Sequence, residues 1–272
     1  MAIRSFHSAK SDIGLKRTHN EDRFLADPTL GLYVVCDGMG GSNAGEVASM
    51  MAIEAIHAYF RAGIPCVDSP GLLDANVSPQ SRRLAAAILA ANDAIHRASW
   101  MNTAYAGMGT TVVAVHIVDD LVSVAHVGDS RLYLIRNGTI GRLTVDHSWV
   151  AEQVQQGLLT EEEAERSPKR NIVTRALGVE ATVDVEIGEI LVRPGDRLLM
   201  CTDGLTRCVR STDILQTIES TSSIEASTEC LLNLANDAGG EDNATVLLLS
   251  IDSTGSSPLW QRLTQRWLLK AS

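Results

Sequence analysis

The sequence lacks any apolar run long enough to cross a bilayer, since no stretch approaches about 18 consecutive apolar side chains. Its first dozen residues also lack the apolar segment of a signal peptide. Disulfide or cysteine-zinc patterns are absent too, because the five cysteines are scattered without a C-x-x-C pair: Cys36, Cys66, Cys201, Cys208 and Cys230. These absences predict a cytoplasmic protein.

Basic residues are also fewer than acidic ones. The 272 residues include 23 Lys and Arg against 33 Asp and Glu, a formal net charge of -10. A general nucleic-acid binder needs a basic surface to neutralise phosphates, so this class is disfavoured and no nucleic-acid partner is expected. A phosphate ester remains possible as substrate, because bound cations can invert the local field. An acidic chain that handles phosphate therefore points towards metal ions.

Hydrophobic residues make up 45% of the chain, enough for a sizeable core. Apolar runs, turn signals and helical spacing predict strands in 3–10, 22–36, 110–118, 121–127, 131–136, 139–143, 182–192, 197–202 and 244–251, and helices in 45–60, 81–100, 147–177 (broken near 167–168) and 224–237. Most predicted strands form hairpins and the predicted helices lie in separate parts of the sequence. This order indicates antiparallel sheets covered by helices and not a doubly wound βαβ fold.

The last 20 residues differ in composition from the rest, which places the domain at 1–252 and a linker with a short tail at 253–272. Residues 253–258 read as a flexible linker. The tail then carries Trp260, Leu263 and Trp267 at helical spacing, with a basic stripe of Arg262, Arg266 and Lys270. Two interpretations stay open: the tail binds a membrane surface or a partner protein, or its tryptophans pack on the domain.

Acidic residues stand at the ends of predicted strands. Asp37 and Asp203 each end an apolar strand and precede a glycine, and Asp242 comes just before the last strand. Asp129 lies between two strands, and Glu21 and Asp22 precede a short apolar run. Each occurrence alone is typical of an ordinary turn. Their joint occurrence at strand edges predicts one cluster, because strand ends are rigid places to mount functional groups.

Carboxylates brought together in this way raise one another's pKa unless a cation compensates them. Mg²⁺ and Mn²⁺ prefer oxygen ligands in an octahedral shell and need neither His nor Cys. The glycine after Asp37 would let a backbone carbonyl approach the same ion. The pattern therefore predicts a site for hard divalent cations.

Seven motifs in order resemble the PP2C-type (PPM) metal-dependent protein serine/threonine phosphatases in their compact bacterial form. They are RTHNED at 17–22, DGMGG at 37–41, GMGTT at 107–111, VGDSR at 127–131, LTVDHS at 143–148, TDGL at 202–205 and EDN at 241–243. The resemblance spans about residues 8–251. It implies an α+β fold, a four-layer α-β-β-α sandwich of two antiparallel sheets flanked by helices, with a dimetal site at one end.

The same resemblance implies the ligand set. Asp37 would bridge two Mn²⁺ or Mg²⁺ ions, the Gly38 carbonyl would bind one of them, and Asp203 and Asp242 would complete the other. Glu21 and Asp22 would hold metal-bound waters, and Asp129 with Asp203 would hold a weaker third ion. A metal-activated hydroxide would then attack phosphoserine or phosphothreonine in a phosphorylated protein, counteracting a partner kinase.

Two further regions of the site follow from the resemblance. Arg17 would bind the phosphate, because its planar guanidinium can donate two hydrogen bonds to phosphate oxygens. An extended segment would aim Arg17 and Glu21 at the same face, because they are an even number of residues apart. Residues 151–175 would form the flap beside the site, where substrate choice is tuned.

The sequence departs from the family at one position, where relatives usually carry a histidine after DGMGG that is assigned as general acid. Here that position is Ser42, which has no proton available near neutral pH. His19, two residues after Arg17, is the candidate replacement. His147 matches a family position that we interpret as architectural.

Two other functions compete with the phosphatase. The first is a catalytically weak or inactive PP2C-like binding module, which Ser42 alone supports. The second is a metal nuclease or small-molecule phosphatase, which the acidic charge disfavours. Loss of Mn²⁺-dependent hydrolysis in Asp203→Ala and Asp242→Ala distinguishes the enzyme from the binding module.

Overall fold

The structure is a computed structural model that describes residues 3–41, 44–63 and 77–253. Ser42, Cys66 and the tail from 254 onwards lie outside the described residues. The expectations for Ser42 and for the tail are therefore not addressed by the fold.

Eleven strands and seven helices are named in the part of the chain that is described. In order they are β1 (Ile3–Asp12), β2 (Asp22–Asp27), β3 (Leu32–Met39), α1 (Ala44–Arg61), α2 (Pro79–Met101), β4 (Gly109–Thr110), β5 (Val112–Val118), β6 (Leu121–Val127), β7 (Arg131–Arg136), β8 (Thr139–Arg142), α3 (Trp149–Gln155), α4 (Glu161–Arg166), β9 (Glu186–Leu191), β10 (Arg197–Cys201), α5 (Asp203–Thr206), α6 (Ser211–Ser220), α7 (Ile224–Asp237) and β11 (Ala244–Ser253). A short 3-10 helix, Thr103–Tyr105, follows α2.

The strands form two sheets. One has the order β1-β11-β10-β7-β8, and the other has the order β2-β3-β5-β6-β9 with β4 paired to the end of β3. Neighbouring strands pair antiparallel in both sheets. The prediction of antiparallel sheets is confirmed. Short turns after β2, β5 and β7 form hairpins, whereas the other pairs join strands that are distant in sequence.

Strand β3 shows how the layers are built. Tyr33 and Val35 point between the two sheets, where they pack with Leu132 and Leu247. The alternate residues of β3 face α1 and α2 on the outside of their sheet. Because both faces are buried, the strand reads as a continuous apolar run. Helices α6 and α7 cover the outer face of the other sheet, so the four-layer α-β-β-α sandwich is confirmed.

The predicted helices are mostly present. Helix α2 begins where Ser78 accepts a hydrogen bond from the backbone N–H of Ser81 and Pro79 occupies the first turn. The prediction of a helical stretch over 147–177 is wrong in extent, since α3 and α4 end at Gln155 and Arg166 and turns follow. Helix α6 was missed because its β-branched and polar residues have weak helical propensity.

Two sequence expectations meet the structure directly. Within the described ranges, no helix combines the length and the apolar character needed to cross a membrane. Four cysteines in those ranges are unpaired thiols, namely Cys36, Cys201, Cys208 and Cys230. The last strand runs to Ser253, two residues beyond its predicted end.

Candidate metal centre and active site

The predicted carboxylates converge where the two sheets meet at one end. Asp22 opens β2 directly opposite Asp37 near the end of β3. The side chain of Asp22 accepts hydrogen bonds from the hydroxyls of Thr202 (2.8 Å) and Thr245 (2.7 Å). Thr202 follows β10 and immediately precedes Asp203, and Thr245 lies at the start of β11, so both belong to the other sheet's end of the molecule. Asp22 therefore joins the two sheets beside Asp37 and Asp203.

Asp129 is linked to the same end through hydroxyl groups. The backbone N–H of Asp37 donates to the hydroxyl of Thr111 (3.0 Å), which also bonds the hydroxyl of Ser130 (2.8 Å). Thr111 in turn donates its N–H to the carbonyl of Asp37 (2.8 Å). The loop that carries Asp129 is thus held against β3.

Gly38 lies where no side chain can fit. A Cβ at this position would stand 2.1 Å from the carbonyl oxygen of Gly45 and 2.7 Å from that of Glu21. The N–H of Gly38 also donates to the Glu21 carbonyl (3.2 Å). The glycine that follows Asp37 is therefore required by the close approach of β3, the Glu21 loop and the first turn of α1.

Glu21 points at the first turn of α1. Its carboxylate faces the backbone N–H groups of Gly45 and Glu46, and a Cβ at Gly45 would lie 2.7 Å from its Oε1 atom. Burial raises the pKa of Glu21, although Arg17 and the two N–H groups act in the lowering direction. A helix N-terminus suits an acidic side chain, which explains how Glu21 is held here.

The prediction of an extended segment for residues 17–21 is wrong, because the chain bends at Thr18 and His19. The loop nevertheless brings Arg17 to the site, where its Nη2 atom donates to Asp242 at 2.9 Å. His19 is exposed on the same loop. Gly14 has a φ of 78° and forms the turn between β1 and this loop. The pairing of Arg17 with Asp242 thus comes from the turn geometry and not from strand alternation.

Asn243 organises this loop, a role that the sequence pattern did not reveal. Its side-chain nitrogen donates to the carbonyls of Ile13 (2.9 Å) and His19 (3.0 Å), and its oxygen accepts from the N–H of Glu21 (2.9 Å). The amide therefore satisfies three backbone groups at once. Its place in the EDN motif was the available signal.

The buried carboxylates raise one another's pKa. Burial is the largest cause, and it raises the pKa of Asp22 to about 7 and that of Asp203 to about 8. It also raises the pKa of Asp129, and it raises the pKa of Asp37 well above its ordinary value, with Asp22 and Asp203 adding to the effect. Such a cluster favours a bound cation, which stabilises the ionised forms.

Two oxygens at this site have no hydrogen-bond partner among the described residues. They are the Oδ1 atoms of Asp22 and Asp203, both buried. Buried polar atoms are nearly always paired, so an orphaned carboxylate oxygen indicates a missing ligand. The donor set consists of oxygens alone, which hard divalent cations prefer. The residues present therefore fit Mg²⁺ or Mn²⁺.

A second cluster lies nearby, formed by His126, His147 and Glu186, whose ligating atoms all lie within 4.8 Å of one another. The Nδ1 atom of His147 accepts the N–H of Gly128 at 3.0 Å, and its ring stacks on His126. The Nη1 atom of Arg175 lies 3.2 Å from His147 Nε2, which places a positive charge where a metal would sit. This cluster holds the loop before Asp129, consistent with an architectural His147.

The comparisons with known proteins agree with this geometry. The family model for protein phosphatase 2C matches residues 16–241. The chain belongs to the protein phosphatase 2C family. The phosphatase is 36% identical over 248 residues to protein phosphatase PhpP of Streptococcus pneumoniae, covering 90% of this chain and 97% of that protein. It is 37% identical to serine/threonine phosphatase stp of Listeria monocytogenes, covering 90% and 95%.

Solved structures resemble the phosphatase over nearly the whole chain. The Mycobacterium tuberculosis serine/threonine phosphatase PstP/Ppp superposes with a TM-score of 0.81 at 35% identity, covering 93% of this chain and 100% of that one. A second structure, the catalytic domain of PstP in complex with two manganese ions, has a TM-score of 0.79 at 34% identity and covers 92% and 100%. The predicted family and fold are confirmed, and the chain is a metal-dependent protein phosphatase. The binding-module alternative is not favoured.

Proposed function

We propose that this phosphatase hydrolyses phosphoserine and phosphothreonine in proteins at the carboxylate cluster, with two Mn²⁺ or Mg²⁺ ions, and so counteracts a protein kinase. The observation that carries the proposal is the meeting of Asp22, Asp37 and Asp203 at one end of both sheets. Relatives named serine/threonine phosphatases and the manganese complex of PstP support the substrate class and the metal.

The ligands are assigned as the family resemblance implies. Asp37 would bridge the two ions, the Gly38 carbonyl would bind the first, and Asp203 and Asp242 would bind the second. Glu21 and Asp22 would hold bound waters, and Asp129 with Asp203 a weaker third ion. When bound, the ions supply charge neutralisation on the phosphoryl oxygens and acidify water. The orphaned Oδ1 atoms of Asp22 and Asp203 support this assignment.

Arg17 is proposed to bind the phosphoryl group. Its side chain is half exposed and lies 2.9 Å from Asp242, so it can reach a substrate at the rim of the cluster without leaving the site. A guanidinium can donate two parallel hydrogen bonds to phosphate oxygens, which orients the phosphorus for attack.

His19 is proposed as the group that protonates the leaving alkoxide, in place of the histidine that relatives carry at position 42. Its position on the Arg17 loop, clamped by Asn243, supports this role. In His19→Ala, we expect phosphoserine peptide hydrolysis to fall by about 10²–10⁴ and p-nitrophenyl phosphate hydrolysis to fall far less, because the aryl leaving group needs no acid. An unchanged alkaline limb in the pH–rate profile, which is where a general acid loses its proton, would remove His19 from the mechanism.

Three further proposals rest on sequence alone. Residues 151–175, which include most of α3 and all of α4, would act as the flap that tunes substrate choice. Residues 1–252 would form the phosphatase domain, with 253–272 as a linker and a tail that contacts a partner protein or a membrane surface. The scattered cysteines support a cytoplasmic location.

The direct test is Mn²⁺-dependent hydrolysis of a phosphothreonine peptide. Asp203→Ala and Asp242→Ala should each lose most of the activity at saturating peptide, whereas Asp120→Ala, in the exposed turn between β5 and β6, should retain it. Both alanine variants must keep the wild-type circular dichroism spectrum. Full activity of either variant would contradict the ligand assignment.

A further inference from the structure

Arg207 lies among the carboxylates that the proposed function assigns to metal. Its guanidinium pairs with Asp203 through Nη2 and donates from Nη1 to Asp242 Oδ2 at 3.0 Å. The same side chain also interacts electrostatically with Asp129 and Asp37. One arginine thus bridges the two carboxylates proposed to complete the second ion.

The position of Arg207 follows from local structure. It caps the four-residue helix α5, and its backbone N–H donates to the carbonyl of Asp203 at 2.8 Å. The four-residue separation brings the side chain back over Asp203, as expected on one helical face. The guanidinium is therefore delivered to the cluster by the same helix that carries the carboxylate.

A guanidinium and a divalent ion compete for these oxygens. A carboxylate oxygen that accepts a charge-assisted bond from Arg207 must give up that bond, or share it, when an ion coordinates it. Asp242 Oδ2 already accepts from both Arg17 and Arg207. About a quarter of the Arg207 side chain is exposed, so it can leave for solvent without opening the core. Displacement therefore costs mainly the two ion pairs.

We propose that Arg207 is an internal counter-cation that competes with the ion at Asp203 and Asp242, so that one of the two metal-binding steps is selectively weakened. The proposal rests on the proposed function for the ligand assignment. Arg207 stabilises the metal-free protein through its contacts with Asp203 and Asp242, and metal binding must displace it. The ion held by Asp37 and the Gly38 carbonyl is not subject to this competition. Occupancy of the second position would then respond to the cellular concentration of divalent ion.

The experiment is Mn²⁺ titration of the full chain by calorimetry, with free Mn²⁺ counted by electron paramagnetic resonance. Wild type should show one tighter and one weaker step for the two main ions, with the proposed third ion weaker than both. Arg207→Ala should tighten the weaker step by about tenfold or more and leave the other within about twofold, since coupling of this kind is worth 5- to 150-fold. Arg207→Lys keeps the charge without the bidentate fork and should fall between the two proteins.

The matched control is Arg210→Ala, three residues away, whose side chain pairs with Asp213 on the surface. It should leave both binding steps unchanged. In metal-free buffer, Arg207→Ala should melt about 2–4 °C below wild type, whereas Arg210→Ala should not. The stabilisation by saturating Mn²⁺ should be larger in Arg207→Ala than in wild type.

Three outcomes would overturn the inference. Identical binding in wild type and Arg207→Ala would show that the arginine does not compete. Equal tightening of both steps would show a long-range charge effect instead of competition at one position. If Arg207→Ala fails to fold, Mn²⁺ binding by Arg207→Lys that equals wild type would also show that the arginine does not compete. Absence of Mn²⁺ binding in wild type is distinct, because it would refute the proposed function itself.

Discussion

The carboxylate cluster should make the metal-free protein less stable as the pH rises from 5 to 8. Burial raises the pKa of Asp22 from 3.8 to about 7. In the unfolded chain this carboxyl loses its proton near its ordinary pKa, whereas the folded protein keeps it until about pH 7. The folded state therefore binds more protons between these values, and stability falls as the pH rises through that window.

The shift of Asp22 spans about three pKa units, which corresponds to a ceiling of about 4 kcal/mol for this group. Asp203 shifts in the same direction, to about 8, and each proton held by one carboxyl relieves the others, so the contributions do not add. We expect a net loss of about 2–4 kcal/mol, or a Tm lower by about 5–15 °C.

The assay is thermal unfolding in metal-free buffers at pH 5, 6, 7 and 8, followed by circular dichroism. Asp22→Asn removes the titrating group but keeps an oxygen that accepts from Thr202 and Thr245, so its Tm should fall less steeply with pH. Asp120→Asn, in an exposed turn, should follow wild type. Saturating Mn²⁺ should abolish this fall, because a bound ion keeps the carboxylates ionised across the whole pH range. A metal-free Tm that stays constant or rises with pH would refute the reasoning.

Two further substitutions test the framework around the cluster. Gly38→Ala places a methyl group 2.1 Å from the Gly45 carbonyl oxygen, so it should cost about 1–3 kcal/mol of stability in denaturant unfolding and weaken Mn²⁺ binding in calorimetry. Gly41→Ala is the control, because a Cβ at Gly41 meets open space. Equal stability of the two variants would contradict the close packing at Gly38. Asn243→Ala removes three hydrogen bonds to the Arg17 loop, so it should lower the free energy of unfolding by about 1–3 kcal/mol and raise KM for a phosphopeptide. A KM equal to that of wild type would show that the loop does not position Arg17.

Much of the fold could be predicted because the buried strands are continuous apolar runs between strong turn signals. Val127 ends β6 just before Gly128 and Asp129, and Leu32 to Cys36 lead directly to Asp37. Helix α6 could not be recognised, since Ile214 and Ile218 are its only buried side chains and its propensity is weak. Long-range packing against α7 and the neighbouring strands decides that segment.

The site was predictable as a set of carboxylates, but not in its contacts. Strand ends that carry aspartate indicated which residues meet, and the structure brings Asp22, Asp37 and Asp203 together. The hydroxyls of Thr202 and Thr245 that hold Asp22 carry no local signal, because they act across two sheets. Arg207 could have been suspected from its four-residue distance to Asp203, but its second partner, Asp242, is distant in sequence.

The most direct test of the central claim is anomalous X-ray diffraction from crystals grown with Mn²⁺. The proposed ligand set predicts two strong manganese peaks, one contacted by Asp37 and the Gly38 carbonyl and one contacted by Asp37, Asp203 and Asp242. Manganese peaks that lie elsewhere, such as between His126, His147 and Glu186, or no peaks at all, would contradict it.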